Sequence, residues 1–220
     1  GNVRTLDEVI RRELNIAEGD AYNRILVDRA RRRLTGLDFF EKIDIRQEPG
    51  SAPDLVTVVI EVIEKSTGTI NFSAGFSTTE GAIGSASVSE RNLLGTGHQA
   101  SLSTQLSFKR QSVNLSYTNP YFLDRDISAG FDIFGSLTDV EDESSFTTQQ
   151  VGGALRLGTR LDDYNSIFGK YSLTYRDIDV GSDAEASRAI RDAEGTDLIS
   201  KVGLTYIYSD LDHPSRPTSG

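Results

Sequence analysis

The side chains with the most scope for metal chemistry are two histidines and an acidic run. His98 and His213 lie in or beside predicted turns, and neither has a second ligand at metal-binding spacing, so we expect no metal site at either. The acidic run either binds a divalent cation or is a solvated loop, and a solvated loop is the simpler interpretation. Its members are Asp139, Glu141, Asp142 and Glu143.

No arrangement of residues for catalytic chemistry is evident in the sequence. It contains no cysteine, which excludes a disulfide, a thiolate metal site and a cysteine nucleophile. Gly95-Thr96-Gly97 is not a dinucleotide fingerprint, because no helix is predicted to follow it. No Ser/His/carboxylate set is evident. We therefore expect a protein that is not an enzyme and needs no cofactor.

The charge of the chain limits its partners. The net charge is −10, which argues against nucleic acid as the main partner, because phosphate binding needs clustered cations. One basic run stands out, and it either meets an acidic partner or forms the solvated face of a helix, the commoner case. It consists of Arg29, Arg31, Arg32 and Arg33.

Residues 1–65 predict a small α+β domain. Thr5 is the expected N-cap of a first helix, with Glu8 completing a capping box. A second helix is predicted over 23–34, with Gly36 as its C-cap. Two alternating segments, 39–47 and 54–65, predict strands.

Two strands make a poor sheet for two helices to cover, so we expect one strand before Gly1 to have been removed. The sequence also contains no methionine, so we expect a processed chain or a fragment.

From Gly68 onward the sequence predicts a sheet of long strands. Most predicted strands have 10 residues or more, which suits tilted membrane strands better than a soluble sheet. The eight predicted strands are 68–79, 82–91, 97–109, 111–118, 126–138, 147–160, 164–177 and 198–209.

Alternation within these strands separates an apolar face from a face of small polar residues. The charges at strand centres fall on the small-polar face: Asp132, Arg156, Lys170, Arg176 and Lys201. A lipid-facing Arg or Lys costs roughly 2–4 kcal/mol at the bilayer midplane. The apolar face is therefore predicted to meet lipid and the polar face a wet lumen. A soluble β-sandwich with one wet face is the alternative, although its inner face should be bulkier.

Several segments together resemble the Omp85 superfamily and its BamA-type members. The N-terminal segments resemble a POTRA domain, a β-α-α-β-β module, without its first strand. The turn segments that follow resemble the start and the turns of the family's barrel. The turn residues that carry this resemblance are Asn92, Leu94, Gly95, Gly97, Asn119, Pro120, Tyr121, Phe122, Asp212, Pro217 and Gly220.

This resemblance implies a truncated POTRA-like domain at 1–66 and, at 67–220, the first half of an outer-membrane β-barrel. The fold class expected is an α+β domain followed by about eight antiparallel transmembrane strands, half of a 16-stranded barrel. The domain would lie in the periplasm. The family's second barrel half, with its long sixth loop, is absent from this sequence.

The resemblance also implies a function at the first strand of the sheet. There the barrel would open laterally and pass nascent outer-membrane proteins into the membrane by β-augmentation. The strand residues concerned are Gly68, Thr69, Ile70, Asn71, Phe72, Ser73, Ala74, Gly75 and Phe76. Expected partners are these clients, outer-membrane lipid and periplasmic lipoprotein subunits of an assembly complex. Glu18 is the candidate contact with such a subunit.

Alternatives to this function remain open. The glycines of the first strand can instead serve only curvature. Within the superfamily, a two-partner secretion pore or the barrel of a translocation and assembly module is the rival. A passive outer-membrane channel is a rival of another class, but it would have no POTRA unit.

Overall fold

The computed structural model describes residues 1–14, 16, 19–52, 55–140, 146–162, 164–181 and 191–210. The chain packs as two compact units. The first contains residues 1–68 together with 90–99, and the second contains 69–89 together with 100–220. No helix within the described ranges is long and apolar enough to cross a membrane.

The first unit has the predicted order of two helices followed by two strands. Its elements are α1 (Asp7–Arg11), α2 (Arg24–Leu37), β1 (Phe40–Pro49) and β2 (Val56–Glu64). The two strands form an antiparallel hairpin. One apolar cluster joins α1, α2 and the hairpin, and fully burying each such side chain contributes about 1.5–3 kcal/mol. Its buried members are Val9, Ile10, Leu34, Phe39, Phe40 and Val62.

Helix α2 is fixed by its apolar spacing and by its N-cap. Val27, Ala30 and Leu34 are three or four positions apart and are all buried. The Asn23 side chain accepts a hydrogen bond from the amide of Ile25 and caps the first turn.

Two predicted helix boundaries are wrong. The N-cap of α1 is Leu6, without a side-chain cap, so Thr5 and Glu8 form no capping box. Thr5 is buried instead, and its hydroxyl binds groups distant in sequence. Gly36 lies inside α2, and Asp38 is the C-cap, with a left-handed φ of 60°. Hydrogen bonds to Lys65 and Arg91 hold the Asp38 carboxylate in that position.

The second unit is built on a sheet of eight strands in chain order from β3 to β10. Short turns join the early strands and the later pairs are antiparallel, as the sequence predicted. A 3₁₀ helix, Phe122–Asp124, lies between the fourth and fifth strands. The strands are β3 (Gly68–Ser77), β4 (Gly81–Leu93), β5 (His98–Ser107), β6 (Arg110–Asn119), β7 (Ile127–Asp139), β8 (Phe146–Arg160), β9 (Asn165–Val180) and β10 (Gly195–Tyr208).

The sheet has one apolar face of exposed large side chains. Phe72 is 80% exposed and Leu155 63%, on two different strands. Large apolar side chains rarely face water in such a continuous surface, so this face requires an apolar surrounding.

Candidate functional site

No metal-binding cluster is present in the described ranges. There, no three His, Asp or Glu side chains converge as metal ligands would. His98 begins β5 and Asp139 ends β7. The other residues considered for metal binding, His213, Glu141, Asp142 and Glu143, lie outside the described residues.

The predicted lateral-opening residues form the first part of β3. This strand is at one end of the eight-stranded order, and β4 is its neighbour. Every residue from Gly68 to Phe76 is exposed. Ile70, Phe72 and Phe76 project large apolar side chains.

Contacts between the polar side chains of β3 and β4 are neutral. The hydroxyls of Ser73 and Ser85 are 2.7 Å apart. The Asn71 amide donates to the Ser87 hydroxyl across 3.4 Å, a long and therefore weak hydrogen bond. A β-carbon at Gly75 would have no described atom within 4 Å beyond its chain neighbours. These side chains anchor β3 weakly.

Strands β6 to β9 are joined by a charged cluster. The Asp132 carboxylate lies 3.0 Å from Nε of Arg156 and 3.6 Å from Nζ of Lys170. It also accepts a hydrogen bond of 2.8 Å from Ser116. The Asp132 side chain is only 15% exposed, so water screens these interactions less than on an open surface. Four neighbouring strands thus share one polar cluster.

Arg156 makes further hydrogen bonds to side chains of β6. Its guanidinium donates to the hydroxyls of Ser116 and Thr118 across 2.9 and 3.0 Å. Gly130 leaves the space for it, because a β-carbon there would lie 2.6 Å from the Tyr117 carbonyl oxygen and 3.0 Å from Arg156. The sequence predicted a shared face for Asp132, Arg156 and Lys170, and the structure brings them into contact.

The first family-like turn, residues 92–97, is part of the first unit. Asn92 is buried, and its side-chain oxygen accepts from the Gly97 amide across 2.8 Å. Its side-chain nitrogen donates to the Thr5 hydroxyl across 2.9 Å. Leu94 is 88% exposed at the tip of the turn.

Glu64, at the end of β2, organises the N-terminal segment. Its carboxylate accepts hydrogen bonds from three successive backbone amides, those of Val3, Arg4 and Thr5, at 2.7 to 3.0 Å. Burial alone would raise the pKa of Glu64. The hydrogen bonds from the Thr5 hydroxyl and from the three amides outweigh burial and lower the pKa to about 2.

The second family-like turn follows β6. Asn119 precedes Pro120, and its side chain accepts a hydrogen bond of 2.9 Å from the Tyr121 amide, which closes the turn locally. Phe122 begins the 3₁₀ helix and is partly exposed. The third turn, with Asp212, Pro217 and Gly220, lies outside the described residues, as does Glu18.

The basic run lies along α2, where Arg29, Arg31 and Arg32 are exposed. Arg31 donates to the carbonyl of Ile45 across 3.3 Å.

The sequence did not indicate the hydrogen bonds that join Thr5 to Glu64 and to Asn92. Thr5 and Glu64 are 59 positions apart, and Thr5 and Asn92 are 87 apart. A helix cap is a local pattern, so it was the only role for Thr5 that sequence spacing indicated.

The two units define an outer-membrane barrel segment attached to a POTRA-like domain. A model described as the Omp85 superfamily domain matches residues 92–220. A model described as POTRA, surface antigen variable number repeat, matches residues 1–65. The chain belongs to the Omp85 superfamily, which confirms the resemblance of its motifs.

Curated relatives carry one recurring name. The chain is 31% identical to "Outer membrane protein assembly factor BamA" of Nitratidesulfovibrio vulgaris, over all of this chain and 27% of that protein. It is 30% identical to the protein of the same name from Neisseria meningitidis, over 93% of this chain and 26% of that protein. The chain therefore spans about a quarter of the length of these relatives.

Solved structures agree with the fold. The crystal structure of BamA from Haemophilus ducreyi lacking POTRA domains 1–3 matches with a TM-score of 0.74 and 25% identity, over all of this chain and 44% of that one. CdiB from Acinetobacter baumannii matches with a TM-score of 0.59 and 14% identity, over 96% of this chain and 42% of that one, which shows similarity of fold alone.

These findings give the cellular location of each unit. The sheet is an outer-membrane element, and its open eight-stranded form fits half of a barrel. The POTRA domain lies in the periplasm. The apolar face is the face that the strand alternation predicted to meet lipid.

Proposed function

We propose that the full-length protein containing this chain assembles outer-membrane proteins. It helps nascent β-barrel proteins fold and insert through a seam beside β3. The assembly-factor name of relatives about 30% identical to this chain supports the general activity. The chain itself supports the location of the seam.

The position of the seam is inferred from a difference in side-chain contacts between strands of one sheet. Polar contacts of β3 with β4 are neutral, and one of the two is 3.4 Å long. Asp132 on β7, by contrast, holds cations from both β8 and β9. Charged side-chain contacts join β6 to β9, whereas β3 has only weak neutral contacts with β4. We therefore expect β3 to separate from the sheet first.

The proposed work at β3 is physical rather than covalent. A strand edge presents backbone donors and acceptors, which a client strand pairs by β-augmentation. Small residues such as Gly68 and Gly75 leave this backbone accessible. The mechanism uses no catalytic side chain, no cofactor and no metal. Surrounding lipid receives the apolar side chains of the client.

The POTRA unit supplies the periplasmic contacts in this proposal. We propose that it binds lipoprotein subunits of an assembly complex, with Glu18 as one contact. A photo-crosslinking residue at Glu18 in the full-length protein tests this contact. Adducts with outer-membrane lipoproteins support it, and adducts with none contradict it.

Two other functions compete with assembly. A secretion pore dedicated to one partner is the nearest rival. A passive channel is the second rival, and the POTRA unit at residues 1–65 argues against it.

Site-specific photo-crosslinking in living cells separates these functions. A crosslinking residue at Ser73 samples the polar side of β3, and one at Phe72 samples its lipid side. The matched control is Leu155, which is exposed like Phe72 but lies in β8, paired with β7 and β9 on its two sides. Assembly predicts adducts with many newly made outer-membrane proteins at β3 and few at Leu155.

The other outcomes overturn the proposal. Adducts with a single secreted protein at β3 indicate a dedicated secretion pore. An absence of protein adducts, together with intact solute flux, indicates a passive channel.

A further inference from the structure

We propose that Asn92 is a positioning residue for assembly. Its carboxamide fixes the 92–97 turn onto the N-terminal segment, residues 3–6, and this joint stays closed while the protein works. The inference rests on the proposed function, but it names a role for a turn that lies apart from the seam.

Both polar atoms of the Asn92 side chain have a partner within the first unit. It is 8% exposed. Its oxygen accepts from the Gly97 amide across 2.8 Å, which closes the turn. Its nitrogen donates to the Thr5 hydroxyl across 2.9 Å, which attaches the turn to the N-terminal segment. One side chain therefore both shapes and anchors the turn.

The anchor continues from Thr5 to β2. Thr5 is 4% exposed, and its hydroxyl donates to the carboxylate of Glu64. The same carboxylate accepts the Thr5 amide across 2.7 Å. A continuous series of hydrogen bonds thus runs from Gly97 through Asn92 and Thr5 to the end of β2.

A second attachment lies beside this series. The Leu6 amide donates to the carbonyl of Gly95 across 2.9 Å. Gly95 has φ of +79°, and a β-carbon there would lie 1.9 Å from the carbonyl oxygen of Arg4. The backbones of the turn and of the segment are therefore in direct contact.

Buried polar groups make this joint costly to open. Separation would leave the side chains of Asn92 and Thr5 without their partners, and an unsatisfied buried group carries its full desolvation penalty. The strands β4 and β5 leave the turn at Leu93 and His98. A closed joint therefore fixes where β4 ends and where β5 begins, whereas the proposed movement lies at β3.

The first test removes the Asn92 carboxamide in the full-length protein. In Asn92→Ala, we expect the amides of Gly97 and Leu6 to exchange hydrogen faster by roughly 5- to 150-fold, the range for losing a buried hydrogen-bond partner. The rate of outer-membrane protein assembly should fall while the barrel stays folded, as judged by its heat-modifiable mobility. The matched control is Asn114→Ala, at an exposed position in β6, which should change neither.

The second test replaces the hydrogen bond by a covalent one. The 220 residues contain no cysteine, so Thr5→Cys with Asn92→Cys introduces a single pair in this segment. A joint that stays closed predicts that protein in which this pair is oxidised to a disulfide assembles clients faster than the reduced protein. Oxidised protein that is inactive until reduced would show that the joint must open, and would overturn the proposal.

Failure of the joint differs from failure of the proposed function. Unchanged exchange at Gly97 and Leu6 in Asn92→Ala overturns the joint. Wild-type protein that assembles no client overturns the proposed function, and with it the assembly role of Asn92.

Discussion

A β-carbon on Gly95 would lie 1.9 Å from the carbonyl oxygen of Arg4. The backbone of the turn and the backbone of the N-terminal segment thus approach so closely that only glycine fits. Gly95 also has a left-handed φ of +79°, which disfavours other residues independently. Sequence similarity indicated a family turn at this position, and the structure gives the physical requirement for its glycine.

The first prediction concerns this glycine. Gly95→Ala should destabilise the first unit by more than about 2 kcal/mol, because a left-handed φ costs an L-residue roughly 1–2 kcal/mol and the backbone overlap adds to it. Hydrogen exchange of peptides covering 1–14 and 90–99, measured against urea concentration, checks the change.

The control for Gly95 is Gly36→Ala. Gly36 lies in α2, where a β-carbon meets no described atom within 4 Å outside its own helix and chain neighbours. Alanine there should be neutral or stabilising by up to about 1 kcal/mol, the difference in helix propensity. Equal losses in the two variants would contradict the account.

The second prediction concerns the charged cluster of the sheet. Asp132→Ala should destabilise the folded barrel by about 1–3 kcal/mol, because Arg156 and Lys170 lose a shared carboxylate that is only 15% exposed. The temperature at which the full-length protein loses its heat-modifiable form measures the loss.

An exposed ion pair provides the comparison for Asp132. Asp126 lies 3.2 Å from Arg160, and both side chains are half exposed or more. Asp126→Ala should therefore cost at most about 1 kcal/mol. A larger shift for Asp126→Ala than for Asp132→Ala would be incompatible with a sheet held at β7 to β9.

The third prediction concerns pH. Hydrogen bonds lower the pKa of Glu64 from 4.5 to about 2 on folding, against the effect of burial. A lowered pKa stabilises the folded state above pH 4.5, and the contribution is lost as pH falls from about 4.5 towards 2. The first unit of wild-type protein should lose stability more steeply over this window than that of Glu64→Gln, which cannot ionise.

Protection of the Arg4 and Thr5 amides as a function of pH measures this effect. Glu41→Gln, at an exposed position in β1, controls for removal of a negative charge. It should keep the steep pH dependence of the wild type. The prediction fails if Glu64→Gln keeps that dependence too.

The sequence predicted the sheet better than it predicted the first unit. The alternation of residues such as Phe72 and Ser73 repeats along each strand, so strand number, order and face could be predicted from local pattern. The common face of Asp132 and Arg156 follows from the same period. Their 3.0 Å contact does not, because it depends on the register between β7 and β8.

The first unit depends on interactions between residues far apart in sequence. Thr5 has the pattern of an N-cap, but Glu64 and Asn92 bind its hydroxyl. Gly36 has the pattern of a C-cap, but α2 continues to Leu37, and the C-cap is Asp38, whose carboxylate is held by Lys65 and Arg91. Local propensity was outweighed by these tertiary hydrogen bonds in both cases.

Assembly in lipid vesicles by the purified full-length protein tests directly whether the protein helps outer-membrane proteins to fold. An unfolded outer-membrane protein is added, and the appearance of its folded, heat-modifiable form is followed over time. We expect the added outer-membrane protein to fold faster in vesicles that carry the full-length protein than in empty vesicles. Equal rates in the two, with solute passing freely through the vesicles that carry the protein, would contradict the account and indicate a passive channel.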